Sequence, residues 1–280
     1  MRRDKIHPMS GNKQTTVLAA TDNEPVLLRQ QADGICTLTL NRPAQYNTLS
    51  EALIAELQQA LDEIAADTTI GVVILAANGK AFCAGHDLKE MRQRPEQAYY
   101  ETLFESCSRM MLGLTRLPQP VIARIHGVAT AAGCQLVASC DMAVASQEAG
   151  FGTSGINAGL FCMTPGVALS RKVSRKDALE MLFTGEIVPA ERALAMGLVN
   201  RVVPANGLDG AVDELAQAVL SKSRAATAAG KRVFYRQIEM GAAEAYEFAG
   251  KEMARNMMFE DVCEGIDAFI AKRKPVWRHR

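Results

Sequence analysis

Two glycine-bearing loops hold the residues best suited to chemistry in this 280-residue chain. The first reads Lys80-Ala81-Phe82-Cys83-Ala84-Gly85-His86-Asp87-Leu88. The second reads His126-Gly127-Val128-Ala129-Thr130-Ala131-Ala132-Gly133-Cys134-Gln135. Each follows an apolar run, residues 70–75 and 121–125, of the kind that forms a strand covered on both faces. Small residues beyond a strand let a ligand carbonyl approach the main chain. The second loop also opens a helix near Ala131, where free N–H groups and the helix dipole favour developing negative charge. At one sheet edge the two loops can aim two N–H groups at one oxygen, such as the enolate of a thioester. Losing one donor of that kind typically costs about 3 kcal/mol in the transition state. Tight packing explains Ala131-Ala132-Gly133 as well, so the residues alone leave both readings open.

The elements that must position these loops are legible from periodicity. Residues 35–40 alternate apolar and polar and stop at Asn41-Arg42-Pro43, a strand running into a loop. Ser50 is placed to cap a helix carrying Leu53, Ile54, Leu57, Leu61 and Ile64, which ends near Asp67. A long helix over 96–117 stops at Pro118-Gln119-Pro120, and residues 141–145 form a further short strand. This strand–helix alternation predicts an α/β layered core. From Arg175 onward only residues 198–203 read as strand. Helices are expected over 176–183, 190–196, 208–221, 224–238 and 242–269. The organisation expected is a leader over 1–25, an α/β core over 26–205 and a helical region over 206–280, without independent domains.

Composition excludes several function classes. With 31 basic and 31 acidic residues the net charge is zero, so generic nucleic-acid binding, which needs a basic excess, is not expected. The seven cysteines are odd in number, show no metal-ligand spacing and read as buried free thiols in a reducing cytoplasm. Neither a secretory signal nor a run of about 20 apolar residues is present, so membrane partners are not expected. Gly150-Phe151-Gly152-Thr153-Ser154-Gly155 matches a dinucleotide fingerprint. Its context does not fit: Asn157, Gly159 and Pro165 interrupt the helix that should follow. These glycines read as loop and turn positions, with no nicotinamide cofactor and no metal implied.

Several motifs in order carry a resemblance. They are Asn41-Arg42-Pro43 with Asn47-Thr48-Leu49, Ala81-Phe82-Cys83-Ala84-Gly85-His86-Asp87-Leu88, Gly133-Cys134-Gln135-Leu136, Cys140-Asp141 and Pro165-Gly166-Val167. From about residue 26 to its end the chain resembles the crotonase (enoyl-CoA hydratase/isomerase) superfamily. The Gly-His-Asp-Leu, Ala-Ala-Gly-Cys-Gln and Lys274-Pro275-Val276-Trp277 pieces resemble one branch of it in particular. The resemblance implies a ββα spiral with a helical C-terminal trimerisation region, assembled as a homotrimer or homohexamer. It implies an oxyanion hole made by the backbone N–H groups of His86 and Ala132, and an acyl-CoA substrate that carries its own coenzyme. Ala84, His86, Asp87, Leu88 and Lys89 would line the coenzyme cleft, with Gln45-Tyr46-Asn47 near its nucleotide end. Phe269 and Lys272 match positions that meet the coenzyme from a neighbouring subunit, where a lysine suits a phosphate dianion. A solvated helix face accounts for Lys272 equally well.

The chain departs from that pattern where hydration chemistry sits. Hydratases of the superfamily use two glutamates to move protons; here the matching positions are Gln135 and Gly155. An amide cannot exchange a proton near neutral pH, and glycine has no side chain. Slow hydration of crotonyl-CoA is therefore expected, with Gln135→Glu plus Gly155→Glu restoring it if the surrounding geometry is intact. Three readings stay open: an enzyme of thioester hydrolysis, decarboxylation or other enolate chemistry; a hydratase with an unrecognised acid and base; and a non-catalytic acyl-CoA-binding scaffold. Among the other polar groups, the His86 imidazole titrates near neutrality and is a candidate to face the acyl group. Asp87 is expected to orient its loop. Gln135 is a candidate to hold a water or a carbonyl, and Thr153, Ser154 and Asn157 either line the acyl pocket or tie their loop together.

Overall fold

The computed structural model describes residues 24–280, so the expected leader lies almost wholly outside it. β1 (Leu27–Ala32) and β2 (Ile35–Leu40) form an antiparallel hairpin that the sequence reading passed over at β1. Its two-residue turn, Asp33-Gly34, has positive φ at both positions (50° and 81°), the geometry that matches the strand twist. β3 (Val72–Ala77), β5 (Val121–Ile125), β7 (Met142–Ser146) and β10 (Arg201–Val203) continue the sheet in parallel, in the order β1-β2-β3-β5-β7-β10. β3 starts two residues later than expected. Ile70 is still in the turn after Asp67, and the N–H groups of Gly71 and Val72 both reach the Gly34 carbonyl.

A second sheet runs beside the first: β4 (Ala81–Cys83), β6 (Val128–Thr130), β8 (Gly150–Gly152) and the antiparallel β9 (Val188–Pro189). From β3 to β8 each turn of the chain lays one strand in the large sheet and one in the small sheet, then adds helix. That is the expected spiral. α1 (Glu51–Ala66) is capped by the Ser50 hydroxyl, which accepts from the Leu53 N–H at 3.2 Å. α2 (Leu88–Gln93), too short for periodicity to reveal, precedes α3 (Gln97–Arg116), which packs on α1. α4 (Ala132–Ser139) is buried along its whole length, pressed between β4, β6 and α5 (Met163–Leu169).

Gly150 and Gly152 correct the expectation of loop glycines. They lie inside β8, where a Cβ would meet Ile187 at 2.6 Å in both cases. Glycine is needed there for close approach of the neighbouring segment rather than for a turn.

The apolar run in β3 serves two interiors. Val73 and Leu75 face the main core, whereas Val72 joins Ile122 and Val144 beneath Leu208, Val212 and Ala216 of α8 (Leu208–Leu220). The remaining helices are α6 (Arg175–Thr184), α7 (Ala190–Met196), α9 (Arg224–Gln237), α10 (Ala242–Asn256) and α11 (Glu260–Ile270). The single helix expected over 242–269 is broken at Met257–Phe259. Asp261 there turns its carboxylate to the N–H groups of Arg278 and His279 and its own N–H to the Arg280 carbonyl, so the chain's end redirects α11. Among the described residues no helix is long and apolar enough to cross a membrane.

Candidate functional site

The two loops meet. Gly85 adopts φ 94°, and a Cβ there would lie 2.8 Å from the Ala131 methyl and 3.3 Å from the Ala132 nitrogen. Gly133, one residue into α4, is tighter still: a Cβ would fall 2.0 Å from the Cys83 carbonyl oxygen. Glycine at these two positions is what lets the helix start sit against the strand that feeds the first loop. Ala131 itself holds φ 50° and ψ −122°, a conformation rare for a residue with a Cβ. Its N–H donates to the Gly152 carbonyl at 3.0 Å. In the first loop the Leu49 N–H donates to the Gly85 carbonyl and the Asp87 N–H to the Leu49 carbonyl, at 2.8 and 3.3 Å. Between these bonds the N–H of His86 has no acceptor among the described residues, and neither has that of Ala132 at the first turn of α4.

The loops are held from behind. Tyr46 and Asn47 are consecutive residues with positive φ, 52° and 54°. Buried Asn47 donates to the carbonyls of Asn78 (2.7 Å) and Ala81 (2.8 Å) while its side-chain oxygen accepts the Arg42 N–H (2.9 Å). Asp87 caps α2, accepting from the N–H groups of Lys89 and Glu90, and its other oxygen accepts from the Arg42 guanidinium (3.1 Å) and the Thr48 hydroxyl (3.2 Å). Burial works to raise this carboxyl, but the Glu90 N–H, Arg42 and Thr48 outweigh it and hold it below the ordinary carboxylate value. Asp87 orients its loop, as its position suggested. Ala84 is half-buried and anchored by its N–H to the Tyr46 carbonyl at 3.0 Å, while Leu88 and Lys89 point outward at the start of α2.

Residues 30–280 match the family model for enoyl-CoA hydratase/isomerase. The chain belongs to the enoyl-CoA hydratase/isomerase family. The crystal structure of an enoyl-CoA hydratase from Mycobacterium smegmatis is 56% identical, with a TM-score of 0.90 over 91% of this chain and 99% of that one. The crystal structure of human enoyl-CoA hydratase domain-containing protein 3 gives 45% identity and a TM-score of 0.88, over 90% and 100%. Mitochondrial enoyl-CoA hydratase domain-containing protein 3 of Xenopus laevis is 46% identical, over 91% of this chain and 87% of that protein. That branch is the one the Gly-His-Asp-Leu and Lys-Pro-Val-Trp pieces resemble. Its members are named mitochondrial, which overturns the expectation of a cytoplasmic protein. Free thiols report reducing surroundings, and no feature of the composition separated one such compartment from another.

Within the family's fold, Gln135 and Gly155 stand differently from a simple loss of two carboxylates. Gln135 lies one turn into α4, buried, with its side-chain carbonyl oxygen lacking a partner among the described residues. Gly155 lies in a 3₁₀ turn, Ser154–Ala158, where a Cβ would meet the Leu160 carbonyl oxygen at 2.5 Å and the Cys162 sulfur at 2.8 Å. Restoration by glutamate is expected only if the surrounding geometry is intact, and at Gly155 the turn leaves no room for a Cβ. Thr153, Ser154 and Asn157 brace that turn, bonding the Met181 carbonyl (2.7 Å), the Thr130 hydroxyl (2.7 Å) and the Gly185 carbonyl (3.4 Å).

His86 contributes a ring as well as an N–H. The imidazole packs edge-on against Phe104 of α3, centroids 5.4 Å apart, a partner the sequence did not flag although Phe104 shares a helical face with Leu103 and Cys107. Neither ring nitrogen makes a hydrogen bond of good geometry, and burial drives the ring's pKa from 6.5 down to about 4 despite the nearby Leu49 carbonyl. At neutral pH it is an uncharged ring. Cys134 is fully buried, its thiol pushed up to about 12 by burial, and burial also raises Cys162, so neither is an activated nucleophile. Six of the seven cysteines are buried as expected; Cys263 is exposed.

Phe269 (84% exposed) and Lys272 lie at and beyond the end of α11, which packs on α9 rather than on the two loops. Sequence reading missed the anchor beneath them. Lys231 of α9 donates to Asp141 (2.6 Å) and to the carbonyls of Leu114 and Gln119, and Tyr235 one turn on donates to the other Asp141 oxygen at 2.9 Å. The spacing of Lys231 and Tyr235 on one helix face was the available signal.

Proposed function

We propose that this chain binds an acyl-CoA thioester with its carbonyl oxygen between the N–H groups of His86 and Ala132, and stabilises an enolate there. The observation that carries this is the contact of Gly85 with Ala131 and Ala132, which places two unpaired N–H groups on abutting loops. Ala84, Asp87, Leu88 and Lys89 form the rim along which the coenzyme would lie. Hydration is not the reaction favoured. No carboxylate stands at Gln135 or Gly155, and the His86 ring is uncharged at neutral pH, with no imidazolium proton to give. Gln135 would instead offer its orphan carbonyl oxygen to a hydroxyl or water on the substrate.

Those absences favour chemistry in which the enolate forms without a protein base. Decarboxylation of a 2-carboxyacyl (malonyl-type) thioester is such a reaction, because the C–C bond to the carboxylate breaks and its electron pair passes through C2 to the thioester oxygen as carbon dioxide leaves. Simple acyl-CoA binding without turnover is the second reading, favoured by the same missing carboxylates. We further propose a homotrimer or homohexamer, supported by the exposed apolar residues of the C-terminal helices, Tyr246, Met253, Met258, Phe269 and Ile270. In it Phe269 and Lys272 would meet the coenzyme of a neighbour.

The test is a crystal structure with a non-hydrolysable acyl-CoA. The thioester oxygen is expected within hydrogen-bond reach of both N–H groups; an oxygen elsewhere overturns the site. Incubation with malonyl-CoA then separates the two readings, since release of carbon dioxide supports the enzyme and its absence supports the binder.

A further inference from the structure

A cavity of about 1100 Å³ opens along the far side of α4. Its wall includes Gln135, Ala138 and Ser139, so it begins one helical turn past the Ala132 N–H and follows the helix for roughly 6 Å from there. Met111 and Leu112 of α3, Val167 of α5 and Phe234 of α9 give it a mainly apolar lining. That volume is at the upper end of small-molecule sites, far more than a two-carbon acyl group needs.

The cavity's lining is unevenly charged. Five cations border the cavity, Arg116, Arg171, Lys172, Arg232 and Arg236, against one carboxylate, Glu239. Arg171 is paired with Glu239 (3.1 Å), Arg232 with Glu252 (2.7 Å), and Arg236 stacks on Phe248. Arg116, Lys172 and Arg236 pair with no carboxylate among the described residues; the Lys172 ammonium stands 5.5 Å over the ring of Tyr235, another wall residue. An apolar cavity that shares Gln135 with the proposed thioester site and carries cations offset by no carboxylate is complementary to an alkyl chain that ends in an anion.

Resting on the acyl-CoA reading above, we propose that the substrate is a medium- or long-chain acyl thioester ending in a carboxylate. Its alkyl chain lies along α4, and its terminal carboxylate meets Lys172 and Arg116. Calorimetric titration of the full chain with dodecanedioyl-CoA, dodecanoyl-CoA and acetyl-CoA tests this. Dodecanedioyl-CoA is expected to bind on the order of tenfold tighter than dodecanoyl-CoA, the scale of one well-placed charge pair, and acetyl-CoA most weakly. Lys172→Glu and Arg116→Glu should each remove the preference for the dicarboxylyl chain while leaving dodecanoyl-CoA bound. Val167→Trp, at an exposed wall position, should weaken both long chains and spare acetyl-CoA. Equal affinity for the two long thioesters overturns the terminal carboxylate. Equal affinity for all three overturns the cavity as the acyl site. Binding of none of them overturns the acyl-CoA reading itself, and this proposal with it.

Discussion

Replacing Gln135 and Gly155 together by glutamate tests the proposal that these positions match the two acid–base groups of a hydratase, and the tight turn at Gly155 sets the outcome. A Cβ at Gly155 would sit 2.5 Å from the Leu160 carbonyl oxygen and 2.8 Å from the Cys162 sulfur. The oxygen cannot simply retreat, because the Leu160 N–H donates to the Gly155 carbonyl at 3.0 Å and Gly159 (φ 76°) completes the turn. Overpacking of this kind costs about 1–3 kcal/mol, and breaking the turn's hydrogen bond adds about 1 kcal/mol. Gly155→Ala alone should therefore lose about 3 kcal/mol, lowering the melting temperature by roughly 6–10 °C. Gln135→Glu should fold, with its carboxylate buried. In the double variant the second carboxylate cannot take up its place, so hydration of crotonyl-CoA, followed by loss of the enoyl absorbance, should stay near the wild-type level. A variant that melts with the wild type and hydrates about a hundredfold faster, the scale of one positioned acid or base, would refute this reasoning.

The other predictions concern the supports. Asn47→Ala leaves the Asn78 and Ala81 carbonyls without their donor, and urea unfolding should show a loss of about 2–4 kcal/mol. Gly133→Ala drives a methyl into the Cys83 carbonyl, so little folded protein should survive gel filtration; normal yield would contradict the packing of α4 on β4. Lys231→Met leaves the half-buried Asp141 without its cation, held by the Tyr235 hydroxyl and the Val121 N–H, which should cost about 1–3 kcal/mol and speed amide exchange in α9. His86 binds its proton more weakly folded (about 4) than unfolded (6.5). The unfolded chain therefore takes up more protons between those values. This contribution is complete above pH 6.5 and fades by up to about 3 kcal/mol as pH falls to 4. The stability–pH profile of His86→Phe should be flatter in that window.

What the sequence revealed and what it hid follow from the range of the forces involved. α1 and its Ser50 cap, β2 and the long α3 were legible, because periodicity and capping are local. The small sheet was not. β4, β6 and β8 have three residues each and β9 two, too few for a period. Motifs located the two loops, but the reason for Gly85 and Gly133 lies in atoms across the sheet. The closure over Gly155 depends on where Leu160 and Cys162 fall, and the grip of Tyr235 on Asp141 spans 94 positions. The break between α10 and α11 had one local sign, the acidic pair Glu260-Asp261 suited to a helix start. Its cause, the returning chain end, was out of reach.

The left-handed twist at Ala131 has a bearing on how a ligand is received. A residue with a Cβ held at φ 50° and ψ −122° carries on the order of 1–3 kcal/mol of strain, set against the packing of Gly85, Gly133 and the Gly152 carbonyl around it. That work is done when the chain folds. In the proposed site the Ala132 N–H would be aimed before any thioester arrives, so the reorganisation that water would need around a nascent enolate would be absent from the encounter. Gly at 131 would relieve the strain and yield a sturdier protein. It would also release the dipole to wander, making thermal resistance and readiness for the charged oxygen competing properties of one peptide unit.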